Sequence, residues 1–364
     1  MPKRGTEPAL PAPAAGDLDQ LQLKLSPSSP MRAVAAAIAN RENVESGQAG
    51  SPTYVYQQRT SPEKITVTFQ PPETIAIGTA EQFLRFIREA PETTGDALII
   101  ALDNWRQRSD AGAAWITADY ILKCRGIKPK MKGGYAAGWR PDDIDEIARA
   151  MAMLDSTWLS IEDTTRVSGE GRRKKRVREL QNSRFLAVLD HRLRTVDGKP
   201  TNVAWRYSFG EWVTLYPFDD FFALASRKIV RYHPQKRLWE RRLAIYAILH
   251  LKIAERRNLV HRTVRDVLEH TGLANEVDAR NPQRSLARFR DALNRLVEDG
   301  HFQGWTIDKH VDADLDAYLF GSKGKPGSLP PRAWWSKFDQ MTLSIIGGPS
   351  NGPLFDSETA ALAP

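Results

Sequence analysis

Arginine can read a guanine edge, because its planar fork donates two parallel hydrogen bonds to N7 and O6 in the major groove. The stretch Asn281–Trp305, NPQRSLARFRDALNRLVEDGHFQGW, carries four arginines, and their spacing sorts them. On a helix, Arg284, Arg288 and Arg295 share one face within about 40°. The row reads as uninterrupted by any acidic residue. Leu286, Phe289, Leu293, Leu296 and Val297 gather on the opposite side, spread over about 100°. One face is therefore core and the other a candidate base-reading surface. An ordinary solvated helix presents the same pattern, so the surroundings must decide between the two.

The helix itself is well specified. Asn281 suits the N-cap, Pro282 suits the first helical position, and Gly300 suits the residue past the C-terminus. Just upstream, Arg227–Arg265 holds twelve Lys/Arg against two Glu, a net +10 in 39 residues. Within that span Arg262 and Arg265 are candidate phosphate contacts. The whole chain is milder, with 52 basic and 44 acidic residues in 364. Such a length allows two ordinary domains, and the charge balance favours a polyanionic partner.

The chain also repeats itself. LIIALDNWRQR (Leu98–Arg108) matches LAIYAILHLKI (Leu243–Ile253) at an offset of 145, and ILKCRGI (Ile121–Ile127) matches VLEHTGL (Val267–Leu273) at 146. Trp158 and Trp305, each at the start of a strand that follows a longer helix, are offset by 147. Landmarks kept in order and near register imply two copies of one unit. Each copy reads helix, helix, longer helix, then β-hairpin, the order of a winged-helix variant of the helix-turn-helix. The second hairpin would start at Trp305–Ile307 and return at Met341–Ile346 across a long loop.

The two copies differ in charge. The third helix of copy one, about Pro141–Leu154, sets Ile144, Ile147, Met151 and Leu154 on its core face. Its other face carries Asp142, Asp145, Glu146 and Arg149, a net acidic surface that phosphates would repel. Copy one has cations elsewhere. KPKMKGGYAAGWR supplies Lys128, Lys130, Lys132 and Arg140 on a glycine-rich loop that could approach a phosphate closely. GEGRRKKRVRE carries the run Arg172, Arg173, Lys174, Lys175 and Arg176 where a wing is expected. Either segment could instead be exposed loop.

Other chemistry is not supported. Gly133 and Gly138 have phosphate-loop spacing, but Trp139 and Arg140 stand where Lys and Ser/Thr are needed. The seven histidines and single cysteine, Cys124, form no metal-ligand pattern, so no metal or cofactor is expected. Cys124 reads as a small buried hydrophobe. His191 and Arg194 make a His-x-x-Arg resembling tyrosine recombinases, with Tyr207, Tyr216 and Tyr232 downstream. However, Arg184–Val196 alternates like a strand, which does not fit an all-helical catalytic domain, and no enzyme is expected. Trp334 and Trp335 read as packing residues of the second unit. No membrane-length apolar run or secretory signal is visible, so the expectation is a soluble cytoplasmic protein with no membrane contact.

The two helix–Gly…Trp-strand frames, with NPQRSLARFRDALNRLVEDGHFQGW in the second, resemble plasmid replication initiators that carry two winged helices in one chain. The likeness spans roughly residues 85 to 347. It implies binding to repeated double-stranded DNA sites at an origin, with the second unit as main reader and the first for dimerisation or a second DNA contact. It also implies a homodimer in some states and host replication proteins as partners. A transcriptional or partition regulator on the same scaffold is the alternative. The expected fold class is α+β, mainly helical, with two tandem winged-helix domains and flexible tails. The expected divisions are an arm at 1–75, mainly flexible with a short possible helix near Met31–Asn40, domains at 76–232 and 233–348, and a tail at 349–364.

Overall fold

The computed structural model describes residues 22–25, 28–46, 51–57, 63–72, 79–109, 112–132, 135–163, 179–196, 199–216, 223–250, 259–278, 280–307 and 334–347. The expected tail at 349–364 lies outside them. The described chain is α+β, and strands take a large part in it.

The N-terminal part forms β1 (Gln22–Leu25), α1 (Ser29–Ala39), β2 (Glu45–Ser46), β3 (Pro52–Gln57) and β4 (Glu63–Phe69). Helix α1 falls where a short helix is expected near Met31–Asn40, the strands correct the expectation of a flexible arm around it, and residues 1–21 lie outside the described residues. Met31, Ala33, Val34, Ala36, Ala37 and Ile38 of α1 are all buried, as befits a helix apolar on most sides. In β4, Ile65, Val67 and Phe69 alternate with Lys64, Thr66 and Thr68, and the three apolar side chains face the core. The Pro- and Ser-rich flanks hid the strands in the sequence.

The first unit follows as α2 (Ala80–Arg88), α3 (Thr94–Arg108), β5 (Ala114–Thr117), α4 (Ala118–Cys124), β6 (Lys130–Lys132), β7 (Tyr135–Gly138), α5 (Pro141–Asp155), β8 (Thr157–Asp163), β9 (Glu179–Arg184), β10 (Leu186–Val196) and β11 (Lys199–Phe209). A short α6 (Trp212–Leu215) and β12 (Ala223–Ser226) lead onward. The second unit is α7 (Leu238–His250), β13 (Leu259–Thr263), α8 (Val264–His270), α9 (Pro282–Glu298), β14 (Phe302–Ile307), α10 (Trp334–Phe338) and β15 (Thr342–Gly347).

The repeat is carried by topology. In the second unit the sheet order is β13-β15-β14, and in the first it is β5-β11-β10. In each, the strand before the second helix pairs antiparallel with the last strand of the terminal hairpin. That strand ends on the helix cap. The Thr117 hydroxyl accepts from the Tyr120 N–H at 3.1 Å, and the Thr263 hydroxyl accepts from the Asp266 N–H at 3.1 Å. Each second helix then closes on a left-handed glycine, Gly126 at φ +71° and Gly272 at φ +67°.

The third landmark needs correction. Trp305 lies in β14, opposite Ile345 of β15. Trp158 lies in β8, which belongs to a separate five-stranded sheet, β2-β3-β4-β8-β9, opposite Thr68 and Arg184. The counterpart of β14 is therefore β10. Two strands intervene in the first unit because β3 and β4 offer β8 a sheet to join, and the second unit has no such neighbour among the described residues.

A buried charge network seals the seam between α1, α3 and α7. Arg241 Nε donates to Asp96 Oδ1 at 2.9 Å, and both residues are essentially inaccessible. Arg41 and Arg242 hold the Glu92 carboxylate at 2.7 and 2.6 Å, and Arg241 bonds the Glu92 carbonyl. Burial alone would raise the Glu92 pKa, but Arg242, Arg41 and Arg241 together bring it below the usual carboxylate value. At the end of α8, a Cβ on Gly272 would meet the Ala39 carbonyl oxygen at 2.2 Å, so glycine is required there for space as well as for φ.

Candidate nucleic-acid interface

Helix α9 folds as its sequence directs. Asn281 Oδ1 accepts from the Arg284 N–H at 3.2 Å, and Gly300 follows the helix at φ +78°. Leu286, Phe289, Ala292, Leu293 and Leu296 are buried, with Phe289 edge-on to Trp239 and Phe338. Trp334 is buried and stands edge-on to Trp335, so these tryptophans pack as expected.

The arginine row divides in two. Arg284 and Arg288 are exposed, and their guanidinium groups have no ion-pair or hydrogen-bond partner among the described residues. Arg280, just before the cap, is exposed as well. Arg295 instead donates from Nη1 to Glu240 Oε1 at 2.8 Å, and this ion pair ties α9 to α7. Glu240 raises the Arg295 pKa, with smaller help from Asp291 and Glu298. Asp291 corrects the expectation of a row free of acid. It is exposed, seven residues beyond Arg284, and two turns of helix return it to the same face. The cationic surface is therefore the N-terminal half of α9, and Arg295 is structural.

The neighbouring cations also sort. Arg265 places Nε and Nη2 at 3.1 and 2.8 Å from Asp339 Oδ2, pinning the start of α8 to the turn after α10. That carboxylate raises its pKa and engages its fork. Arg262 is half-buried in β13, with a long 3.5 Å bond from Nη1 to the His261 carbonyl. At the entry to β14, burial pushes the His301 pKa down to about 4 despite Asp299 nearby, and Tyr232 stands edge-on to its ring. Burial also takes His250 of α7 well below its ordinary value.

In the first unit, α5 buries Ile144, Ile147, Met151 and Leu154 and exposes Asp142, Asp145 and Arg149, with Glu146 half-exposed. Arg149 is paired with Asp145 at 3.5 Å, so the face stays acidic. The glycine-rich segment is a β-hairpin, with Lys130 opposite Gly138, Met131 opposite Ala136 and Lys132 opposite Tyr135. Lys128, Lys130 and Arg140 are exposed. Cys124 is buried, as expected.

The run Arg172, Arg173, Lys174, Lys175 and Arg176 lies outside the described residues. It falls between β8 and β9, whereas the hairpin equivalent to the second unit's β14–β15 is β10–β11. On that hairpin Arg194 and Arg206 are exposed, and Arg192 stacks over Trp115 at 4.9 Å. Sequence reasoning missed Arg192 and Arg206, and weighed Arg194 only as part of a His-x-x-Arg. The usable signal was Asp197-Gly198, a hairpin-turn dipeptide between two alternating runs.

No cluster of His, Cys, Asp and Glu suited to a metal ion occurs among the described residues, and no described helix is long and apolar enough to cross a membrane. No protein-family model matches the chain, and no curated protein matches it. Among solved structures it is similar to a crystal structure of selenomethionine derivatives of domains 2 and 3 of RctB. The TM-score is 0.41 at 12% identity, covering 85% of this chain and 97% of that one. A second crystal structure, of RctB domains 2-3, gives 0.40 at 13% identity, covering 85% and 96%. Similarity at that level is too slight to assign a site or an activity.

Proposed function

We propose that the chain is a sequence-specific double-stranded DNA-binding protein, acting as a replication initiator on origin repeats. In this reading both units are winged helices and the second is the main reader. The observation that carries it is the pair Arg284 and Arg288. Both are exposed, without a partner among the described residues, and on the third helix of a helix–strand–helix–helix–hairpin unit. Recognition helices of this kind reach base edges with their N-terminal residues, and that half of α9 is the cationic one.

The role is non-enzymatic. Arg280 and the hairpin cations Lys128, Lys130, Arg194 and Arg206 would serve phosphates, fixing register without reading sequence. A dimer and recruited replication proteins fit the same reading.

Selection from a random duplex library at roughly 150 mM salt, followed by sequencing of the bound pool, tests it. A sharp motif, found as direct repeats beside an A·T-rich segment, is the expected outcome. A single inverted repeat would make the chain a regulator. An unenriched pool would refute specific DNA reading.

A further inference from the structure

The α5 face of the first unit is acidic, so the second unit's mode of groove entry is closed to it. The adjacent β6–β7 hairpin has a different character. Met131 is 65% exposed, the most exposed of the large apolar side chains described. It sits between Lys130 and Lys132 in sequence, with the exposed Lys128 just before them and the small Ala136 opposite. A solvent-facing methionine within a lysine-bearing two-stranded ribbon is apolar where packing gives no reason for it to be.

The base of the ribbon is firmly held. Trp139 Nε1 donates to Asp119 Oδ1, and Lys123 pairs with the same carboxylate at 2.9 Å. Gly126 and Gly138 turn the chain at φ +71° and +96° on either side. Arg231 packs against Gly126, where a Cβ would lie 3.4 Å from its Cδ, and its Nε donates to the Cys124 carbonyl at 3.4 Å. A ribbon anchored in this way can press a side chain into a ligand without folding back.

From these observations we propose that the β6–β7 hairpin enters the minor groove of duplex DNA, with Met131 wedged at a base step and Lys128 and Lys130 on the flanking phosphates. The first unit thereby bends the site that the second unit reads. Apolar wedges between base steps, supported by flanking cations, kink duplexes toward the major groove. Charge selects the occupant: the exposed Lys128 and Lys130 beside Met131 favour phosphates, while Asp142 and Asp145 hold the duplex off α5. The inference rests on the DNA-binding reading above and adds a groove, a wedge residue and a deformation to it.

The test is energy transfer between dyes at the two ends of the selected duplex, with the full chain bound. The wild-type chain should bend the site by tens of degrees, within about 20–90°. Met131→Ala should remove at least about half of that bend while affinity stays within about threefold, because a flexible site stores little energy in the kink. Met131→Leu, equally large and apolar, should keep it. Lys128→Ala with Lys130→Ala should reduce the salt slope by up to about two. Specific binding to a straight duplex, or an unchanged bend with Met131→Ala, would overturn the wedge and leave the DNA-reading assignment standing. Absence of any selected site would overturn both. Hairpin-dependent binding to vesicles of anionic phospholipid, with DNA left straight, would move the surface to a membrane and refute the proposal.

Discussion

The third helices α5 and α9 occupy the same place in two units of the same topology, yet they present opposite charge. Their buried faces use the same chemistry: Ile144, Ile147, Met151 and Leu154 in one, Leu286, Phe289, Leu293 and Leu296 in the other. Their ends differ, since Asn281 caps α9 and Gly300 closes it, while Arg140 gives α5 no side-chain cap and no glycine follows it. The difference in charge is confined to exposed positions, where Asp142 and Asp145 stand in one helix and Arg284 and Arg288 in the other. Such positions carry almost none of the folding energy, so a duplicated scaffold can lose or gain a polyanion surface without refolding. The pair separates what holds the unit from what the unit touches.

The largest effect should come from breaking what the units share, the buried seam. Arg241→Ala leaves buried Asp96 with Arg125 alone and Glu92 with Arg41 and Arg242, which should cost about 3 kcal/mol. Urea denaturation of the wild-type and variant chains measures it. A loss under about 1 kcal/mol would mean that water reaches the seam and that the units are held together by apolar contacts alone.

Next is the division within α9. Arg288→Ala should weaken binding to the selected site by about 1–3 kcal/mol while changing binding to random duplex far less. Arg295→Ala should do the reverse, lowering stability through the lost Glu240 contact and sparing discrimination between sites. Equal losses on both DNAs for Arg288→Ala would remove it from base reading.

Acid should then separate the two units. His301 and His250 both lie in the second unit, and burial keeps both below the ordinary histidine value of 6.5. Their neutral forms belong to the fold, so the stability they allow is complete above pH 6.5. It is lost as the unfolded chain takes up protons, down toward the folded value of about 4 for His301. Each histidine held neutral should cost about 1.4 kcal/mol for every pH unit below 6.5 until it too takes up its proton. Hydrogen-exchange protection of β13, β14 and β15 should fall in that window before that of β5, β10 and β11. Simultaneous loss would place the weakness in the seam, where Glu92 gives up its contribution as pH falls below 4.5.

Much of this was legible in the sequence, and the misses share a cause. Caps, glycine stops and helical core faces are local, and Asn281, Gly126, Gly272 and the Leu286–Leu296 face were readable from spacing alone. Pairings across the chain were not. Nothing near Arg295 or Arg265 announces Glu240 or Asp339, which lie 55 and 74 residues away. Trp158 misled because a strand after a helix looks the same whichever sheet it joins. In the arm the short apolar helix was legible near Met31–Asn40, but the Pro- and Ser-rich flanks outweighed strands that gain their stability only against the rest of the chain. Asp291 is different: its seven-residue spacing from Arg284 placed it on the arginine face in the sequence itself.

The smallest expected effect tests the comparison most directly. If charge alone keeps α5 off DNA, Asp142→Asn with Asp145→Asn should raise affinity for random duplex by about two- to fivefold at low salt, as two exposed carboxylates are removed. The gain should vanish at roughly 1 M salt, where the screening length falls to about 3 Å. Stability should be unchanged within about 0.5 kcal/mol, since Asp145 gives up only a surface pair with Arg149 and Asp142 contributes mainly to the helix N-terminus. A measurable gain, read by titration of labelled duplex, would mean that the first unit retains the shape of a reader and lacks only its charge. No gain at any salt would mean that the α5 surface is mismatched in form as well. Among the described residues the hairpins would then be the route left by which the first unit could reach DNA.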